Sequence, residues 1–319
     1  MVATAHLPVS VIGGGSAYPT RPRSRPGRRA HRPRPAGSGR NGTPVDGSVG
    51  RRPSYRWVTV RQPSVTGTGR EIVGEPDGPL TTATYVLIPP AGSGPWYWHL
   101  LAEQLRDRGH DVVAVDLPCA DDSAGLAEYA DAAVQAIGDR TDLVVVAQSF
   151  GAFTGPLLCD RVHADLLVLL TPMVPAPGES PAEWWGNTGY AQARRIQAER
   201  EGWTPEQDED PNVVFFHELP PRLVEEATAH ARDQSGTPFE KPWPLAAWPD
   251  VPTRALLCRG DRFFPIDFLR GLVSERLGIA PDEMDGGHPV ALSRPRELAD
   301  RLEELRREAR GVARPAQRG

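Results

Sequence analysis

The chain has 319 residues, 39% hydrophobic and 24% charged, with a formal charge of -5 at pH 7. That length suggests about two domains at roughly 150 residues each. No run approaches the ~18 apolar residues of a spanning helix, which sets a membrane protein aside, and the mild acidity offers nucleic acid no basic footprint on the folded part. Cys119, Cys159 and Cys258 are too few and too scattered for a disulfide framework or a metal site, and read as buried structural thiols. Lys241 is the sole lysine, an arginine bias that reflects coding composition and carries no functional argument.

The 32 glycines and 34 prolines are unevenly spread. Residues 1–54 form an Arg/Pro/Gly-rich stretch with no acidic residue before Asp46 and no apolar periodicity, so it cannot bury enough surface to offset its ordering entropy and is expected to be a disordered tail. Its apolar residues precede its arginines, the wrong order for an export signal, and the expected location is the cytoplasm. Residues 55–311 are expected to fold as one domain, with residues 312–319 a flexible C-terminus.

From Tyr55 onward short β-branched runs alternate with helical stretches. Arg56 to Val60 and Glu71 to Val73 suit an antiparallel hairpin. Strands are expected at Tyr85 to Ile88, Asp111 to Val115, Leu143 to Val146 and Leu166 to Leu170, separated by helices at Pro95 to Arg108, Leu126 to Ile137 and Phe150 to Arg161. Fully apolar strands between helices of ten to fifteen residues imply parallel strands covered on both faces, an α/β class with a mostly parallel sheet. The alternation stops over about residues 172–250, where helical patterns at Ala182 to Glu201 and Pro221 to Arg232 suggest an inserted helical cap. It resumes with a strand at Ala255 to Cys258, a helix at Ile266 to Leu277, a short strand near Glu283 and a closing helix at Pro295 to Arg310.

At the end of the Leu143 strand lies Ala147-Gln148-Ser149-Phe150-Gly151, a variant of G-x-S-x-G with alanine first. Small residues flank such a serine because it occupies a strained strand-to-helix turn. Taken alone, Ser149 also fits a helix N-cap. A nucleophilic serine needs a base, and the base an orienting carboxylate. Asp261 follows the Ala255 strand in Arg259-Gly260-Asp261-Arg262, and His288 follows the last strand in Gly286-Gly287-His288-Pro289. The chain order Ser, Asp, His suits acyl transfer on such a sheet. Asp282 and Asp285 lie too close in sequence to His288 to orient its ring, and His99, His110, His163, His217 and His230 read as surface or cap residues, with His217 the one to watch. For an oxyanion hole Phe150 supplies one N–H; in Pro89-Pro90-Ala91-Gly92-Ser93-Gly94 the prolines cannot donate, so Ala91 is the first that can. No G-K-[ST] or G-x-G-x-x-G is present, and no metal or cofactor is expected.

Three segments carry a resemblance to the α/β-hydrolase family. The stretch from Ile88 to Leu105 is similar to the H-G-x-x-x-x-x-W-x-W segment of the branch containing plant methylesterases and hydroxynitrile lyases, with Pro89-Pro90 in place of His-Gly. Asp116 to Asp122 and Gly286 to Leu302 resemble that branch's D-L-P/A-G and terminal G-D-H segments. The resemblance implies an α/β-hydrolase fold, a Ser149, Asp261, His288 triad and a cap-covered pocket. Where the lyases carry a lysine after the catalytic histidine this chain has Pro289, which favours ester hydrolysis. The expected activity is hydrolysis of a carboxylic ester of a small hydrophobic substrate, with Ala91 and Phe150 as the oxyanion hole. Trp96, Trp98 and Trp184 are the expected substrate-binding residues, and Trp185, Phe215 and Phe216 share the segments expected to roof the pocket. The expected partner is a small-molecule substrate, with neither nucleic acid nor membrane, and the oligomeric state is open. A ligand-binding protein on a hydrolase fold and a C–C lyase are the alternatives.

Overall fold

The computed structural model describes residues 82–312. The expected N-terminal tail, the hairpin at residues 56–73 and the last residues of the flexible C-terminus lie outside them.

Six strands pair side by side: β1 (Thr84–Ile88), β2 (Asp111–Ala114), β3 (Leu143–Gln148), β4 (Leu166–Leu170), β5 (Thr253–Cys258) and β6 (Asp282–Met284). Their order is β2-β1-β3-β4-β5-β6 and every pairing is parallel. Central strands read as unbroken apolar runs because both faces are covered. Tyr85, Leu87, Val144, Val146, Val168 and Leu256 enter one core, beneath α1 (His99–Asp107), α11 (Val290–Ser293) and α12 (Pro295–Val312). Their alternating neighbours Val86, Ile88, Val145, Leu169 and Leu257 enter the other, beneath α2 (Leu126–Ile137), α3 (Gly155–Cys159) and α10 (Ile266–Leu277). The period-2 split is the geometry of a pleated strand with two buried faces.

Two expected helices begin differently. Pro95–Trp98 is a 3₁₀ turn ahead of α1, and Ser149–Phe153 is a 3₁₀ turn ahead of the short α3. Prolines at the starts of the first turn and of α3 suit a helix start, where a missing N–H costs nothing. Between β4 and β5 the chain forms α4 (Pro181–Asn187), α5 (Tyr190–Glu201), α6 (Pro205–Glu209), α7 (Pro211–Val214), α8 (Pro221–Ala229) and α9 (Thr237–Glu240). The single pattern at Ala182 to Glu201 is thus two helices, divided at Gly189, whose φ of +77° favours glycine. This insert is anchored at its root by a buried pair, Arg276 Nη2 donating to Glu179 Oε1 at 2.9 Å. No helix among the described residues is long and apolar enough to cross a membrane.

Strand order reverses about β1, which has β2 on one side and β3 on the other. Loops leaving the carboxyl ends of β1 and β3 therefore diverge and leave a crevice between them. The turn after β3 is packed to the limit. A Cβ on Gly151 would lie 2.8 Å from Pro89 O, and one on Gly155 only 2.7 Å from the Cβ of Ala147. Ala147, in the position where the motif more often has glycine, is thus accommodated by the missing side chain of Gly155. Gly155→Ala is expected to lower stability by about 1–3 kcal/mol through overpacking. Adding Ala147→Gly should recover at least half of that in denaturant-unfolding measurements, and a double variant no better than the single one would refute the pairing.

Candidate active site

Ser149 stands immediately after β3 with a φ of +52°, a left-handed backbone that a residue bearing a Cβ adopts only when its surroundings impose it. Its carbonyl accepts a hydrogen bond from Met173 N at 3.0 Å, which fixes the turn from β4's side. The side chain lies against the cavity and is 5% exposed.

Asp261 and His288 reach the same place from β5 and β6. Asp261 is 2% exposed; its Oδ1 accepts from the N–H groups of Phe263 and Phe264 at 2.8 and 2.9 Å, and its Oδ2 from His288 Nδ1 at 2.8 Å. With the Nδ1 proton given to a carboxylate, Nε2 is left as the basic nitrogen. The two phenylalanines that wire the acid also wall the base. The rings of Phe263 and Phe264 meet the imidazole edge-on at 5.1 and 5.2 Å, and Phe215, at the end of α7, does the same at 5.5 Å. His288 and Ser149 line one cavity, without a direct hydrogen bond between them among the described residues. Such contacts are commonly loose before substrate binds.

The competing acids are engaged elsewhere: Asp285 with Arg259 at 2.9 Å, Asp282 with Arg254 and Arg301. Ala91 lies at the cavity wall in the loop after β1, and Phe150 follows Ser149 in the turn after β3; neither N–H has an acceptor within the described residues. The ring of Phe150 stacks on Phe239 of α9 at 4.2 Å, so the insert touches the residue after the serine.

The cavity measures about 950 Å³; Trp96, Tyr97, Trp185, Tyr190, Phe215 and Phe263 line one part of it, and charged side chains including Arg194, Arg195, Asp208 and Glu209 line another. Of the three tryptophans expected to bind substrate, only Trp96 lines it. Trp98 is fully buried in the core beneath α1, because successive residues of a 3₁₀ turn point about 120° apart and Trp96 and Tyr97 take the cavity side. Trp184 is also fully buried, its Nε1 donating to Val174 O at 3.0 Å and its ring packed on Phe264 and Phe268. Its neighbour Trp185, one step round α4, is the one that faces the cavity. Burial holds the Tyr97 and Tyr190 phenols well above their ordinary range, so both present neutral hydroxyls.

His110 is a core residue rather than a surface one, its Nδ1 accepting from Ala83 N at 3.2 Å and its Nε2 meeting Glu303 at 2.9 Å. His230 reaches the cavity and stacks on Trp96 at 4.4 Å. His217 is held below the ordinary histidine range, first by burial and then by the Arg262 guanidinium, and its ring packs against Gly287, beside His288. Two further residues were invisible to motif reasoning. Gln148 Nε2 donates to the main-chain oxygen of His288 at 2.6 Å, and Glu218 accepts from Gly287 N at 2.7 Å. The first occupies a variable position of the serine motif, and the second has no local signal at all. No group of three His, Cys, Asp or Glu side chains among the described residues is placed to hold a metal ion.

A family model described as the alpha/beta hydrolase family matches residues 85–301. Norfluorocurarine synthase 1 from Strychnos is 23% identical over 267 residues, covering 69% of this chain and 94% of its own length. Among solved structures, polyneuridine aldehyde esterase superposes with a TM-score of 0.58 at 19% identity over 70% of this chain and 99% of that one. A methylesterase from Arabidopsis superposes with 0.55 at 18% identity over 70% and 98%. At such identities the structural likenesses speak to the fold. The family match covers well over half of the chain and takes in all six strands except the first residue of β1, together with Ser149, Asp261 and His288: the chain belongs to the α/β hydrolase family.

Proposed function

We propose that the protein is a serine hydrolase acting on a carboxylic ester of a hydrophobic substrate. The observation that carries this reading is the buried Asp261–His288 bond at 2.8 Å facing the same cavity as a serine held at φ +52°. Ser149 Oγ attacks the acyl carbon while His288 Nε2 takes its proton; the carbonyl electron pair moves onto the oxygen, which the N–H groups of Ala91 and Phe150 hold. Collapse expels the alcohol, protonated by His288, and leaves an acyl-serine. Water then repeats the sequence with His288 again as base, releasing the acid and restoring Ser149. Asp261 keeps the imidazole in the tautomer with Nε2 free and stabilises the imidazolium that forms.

The helical insert acts in this reading as the cap. Phe215 and Trp185 bring apolar rings over His288 and its side of the cavity, which suits an uncharged acyl or alcohol group there. The names of two structural neighbours, polyneuridine aldehyde esterase and a methylesterase, support the ester reading. Three unpaired thiols suit a reducing compartment such as the cytoplasm.

Steady-state hydrolysis of a p-nitrophenyl ester by the wild type and by Ser149→Ala tests the reading. Multiple turnovers that fall by at least about 10³-fold in the variant are expected. Equal rates in both, or a single turnover per serine, would overturn it in favour of ligand binding. The wall assignments make a second test: Trp185→Ala should raise KM for a bulky aromatic ester with little loss of stability. Trp184→Ala should instead cost about 3–5 kcal/mol in unfolding experiments, as expected for a deleted core aromatic. The reverse pattern would mean that the two rings are wrongly assigned.

A further inference from the structure

The loop that follows β1 has a support that no motif announces. Two prolines stand at its start, and the backbone at Gly92 turns left-handed, with a φ of +64°. The segment at residues 230–235, between α8 and α9, lies along this loop and binds it at several points. Arg232 N donates to Gly92 O at 2.9 Å, and Gly92 N donates to Gln234 Oε1 at 3.1 Å. Gln234 is itself fixed, since its Nε2 donates to the Tyr129 hydroxyl and to Ser235 O, both at 3.0 Å. Arg232 pairs with Asp116 after β2, and His230 stacks on Trp96. A side chain on Gly92 would meet Arg232 O at 3.2 Å, so the two segments are in close backbone contact.

The distribution of donors gives this contact a chemical meaning. Pro89 and Pro90 have no N–H, and the N–H of Gly92 is taken by Gln234. Ala91 thus carries the first unengaged N–H after β1, ahead of those of Ser93 and Gly94, and it lies at the cavity wall between Pro90 and the bonded amide of Gly92. We propose that Gln234 is a positioning residue for the oxyanion hole: by clamping the Gly92 amide it holds the Ala91 N–H on the oxyanion, so the helical insert shapes the transition-state site as well as roofing it. This rests on the ester-hydrolase reading of Ser149.

The test compares two ketones of the same alkyl chain. A trifluoromethyl ketone adds Ser149 Oγ to its carbonyl carbon, the Oγ proton passing to His288 and the carbonyl pair to an oxyanion; the matched methyl ketone fills the cavity without adding. Wild type should bind the trifluoromethyl ketone at least about 100-fold more tightly. Gln234→Met should weaken that ligand by about 10- to 100-fold, the scale of a misplaced or lost oxyanion donor. The methyl ketone should change by less than about threefold on the same grounds. Equal losses on both ligands, or none, overturn the proposal while leaving the serine reading intact. A wild type without preference for the trifluoromethyl ketone removes the serine reading itself. Gln234→Asn, polar but too short to reach Gly92, carries the same expectation should the methionine variant fail to fold.

Discussion

The pressure of the Ser149 turn against the end of β1 governs the geometry of the whole site. β1 and β3 are hydrogen-bonded neighbours, so their carboxyl ends emerge side by side, and the chain after β3 must turn sharply without striking the loop after β1. Gly151 makes that possible, for any side chain there would collide with the carbonyls of Ile88 and Pro89. The turn is thus locked to the same residues that lead into the loop carrying Ala91. A displacement of one strand end moves both the serine and its expected oxyanion donors, which explains why so little free volume is left around this point.

His288 is held by a different device. A short run, Asp261 to Phe264, supplies the carboxylate, the two N–H groups that hold one of its oxygens, and two aromatic walls for the imidazole. Those two N–H groups and the Nδ1 proton compensate Asp261 for its burial, and without them a carboxyl group in so dry a place would be costly. The rings of Phe263 and Phe264 then pack against the imidazole at 5.1 and 5.2 Å. Burial and orientation come from the same four residues, so neither can be altered alone.

Much of this was legible in the sequence because strand burial is nearly binary here. Tyr85 to Ile88 and Leu166 to Leu170 are apolar at every position, and only a doubly covered parallel strand requires that. Ser149 and Asp261 could be singled out because each follows an apolar run that ends a strand, whereas His288 follows the short and largely polar β6 and rested on its glycine-rich loop and its order in the chain. The tryptophans were not so constrained. Trp98 and Trp184 each sit beside an aromatic that does face the cavity, Tyr97 and Trp185, and the choice depends on a rotation of roughly 100–120° that composition does not encode. The 3₁₀ turns at Pro95 and Ser149 escaped for a related reason, since their apolar spacing over one turn is close to that of an α-helix. Gln148 and Gln234 act through main-chain partners 140 and 142 residues away, and a main-chain partner leaves no side-chain signature at its own position.

The insert therefore does more than cover a preformed cavity. It contributes Phe215 to the enclosure of His288, Glu218 to the amide next to it, Phe239 to the ring of Phe150, and Arg232 with Gln234 to the loop that carries Ala91. Each of the four strand-end loops that make up the candidate site, after β1, β3, β5 and β6, is touched by a different part of one continuous segment. In a sheet whose loops diverge at the reversal of strand order, something must hold them at a common distance, and no strand pairing reaches that far. The segment between β4 and β5 supplies those ties. Helix α5 is bound in as well, Gln197 Nε2 donating to Asp261 O at 3.3 Å and Arg194 Nη1 donating to Arg262 O, so the segment ties the loop after β5 along with the others.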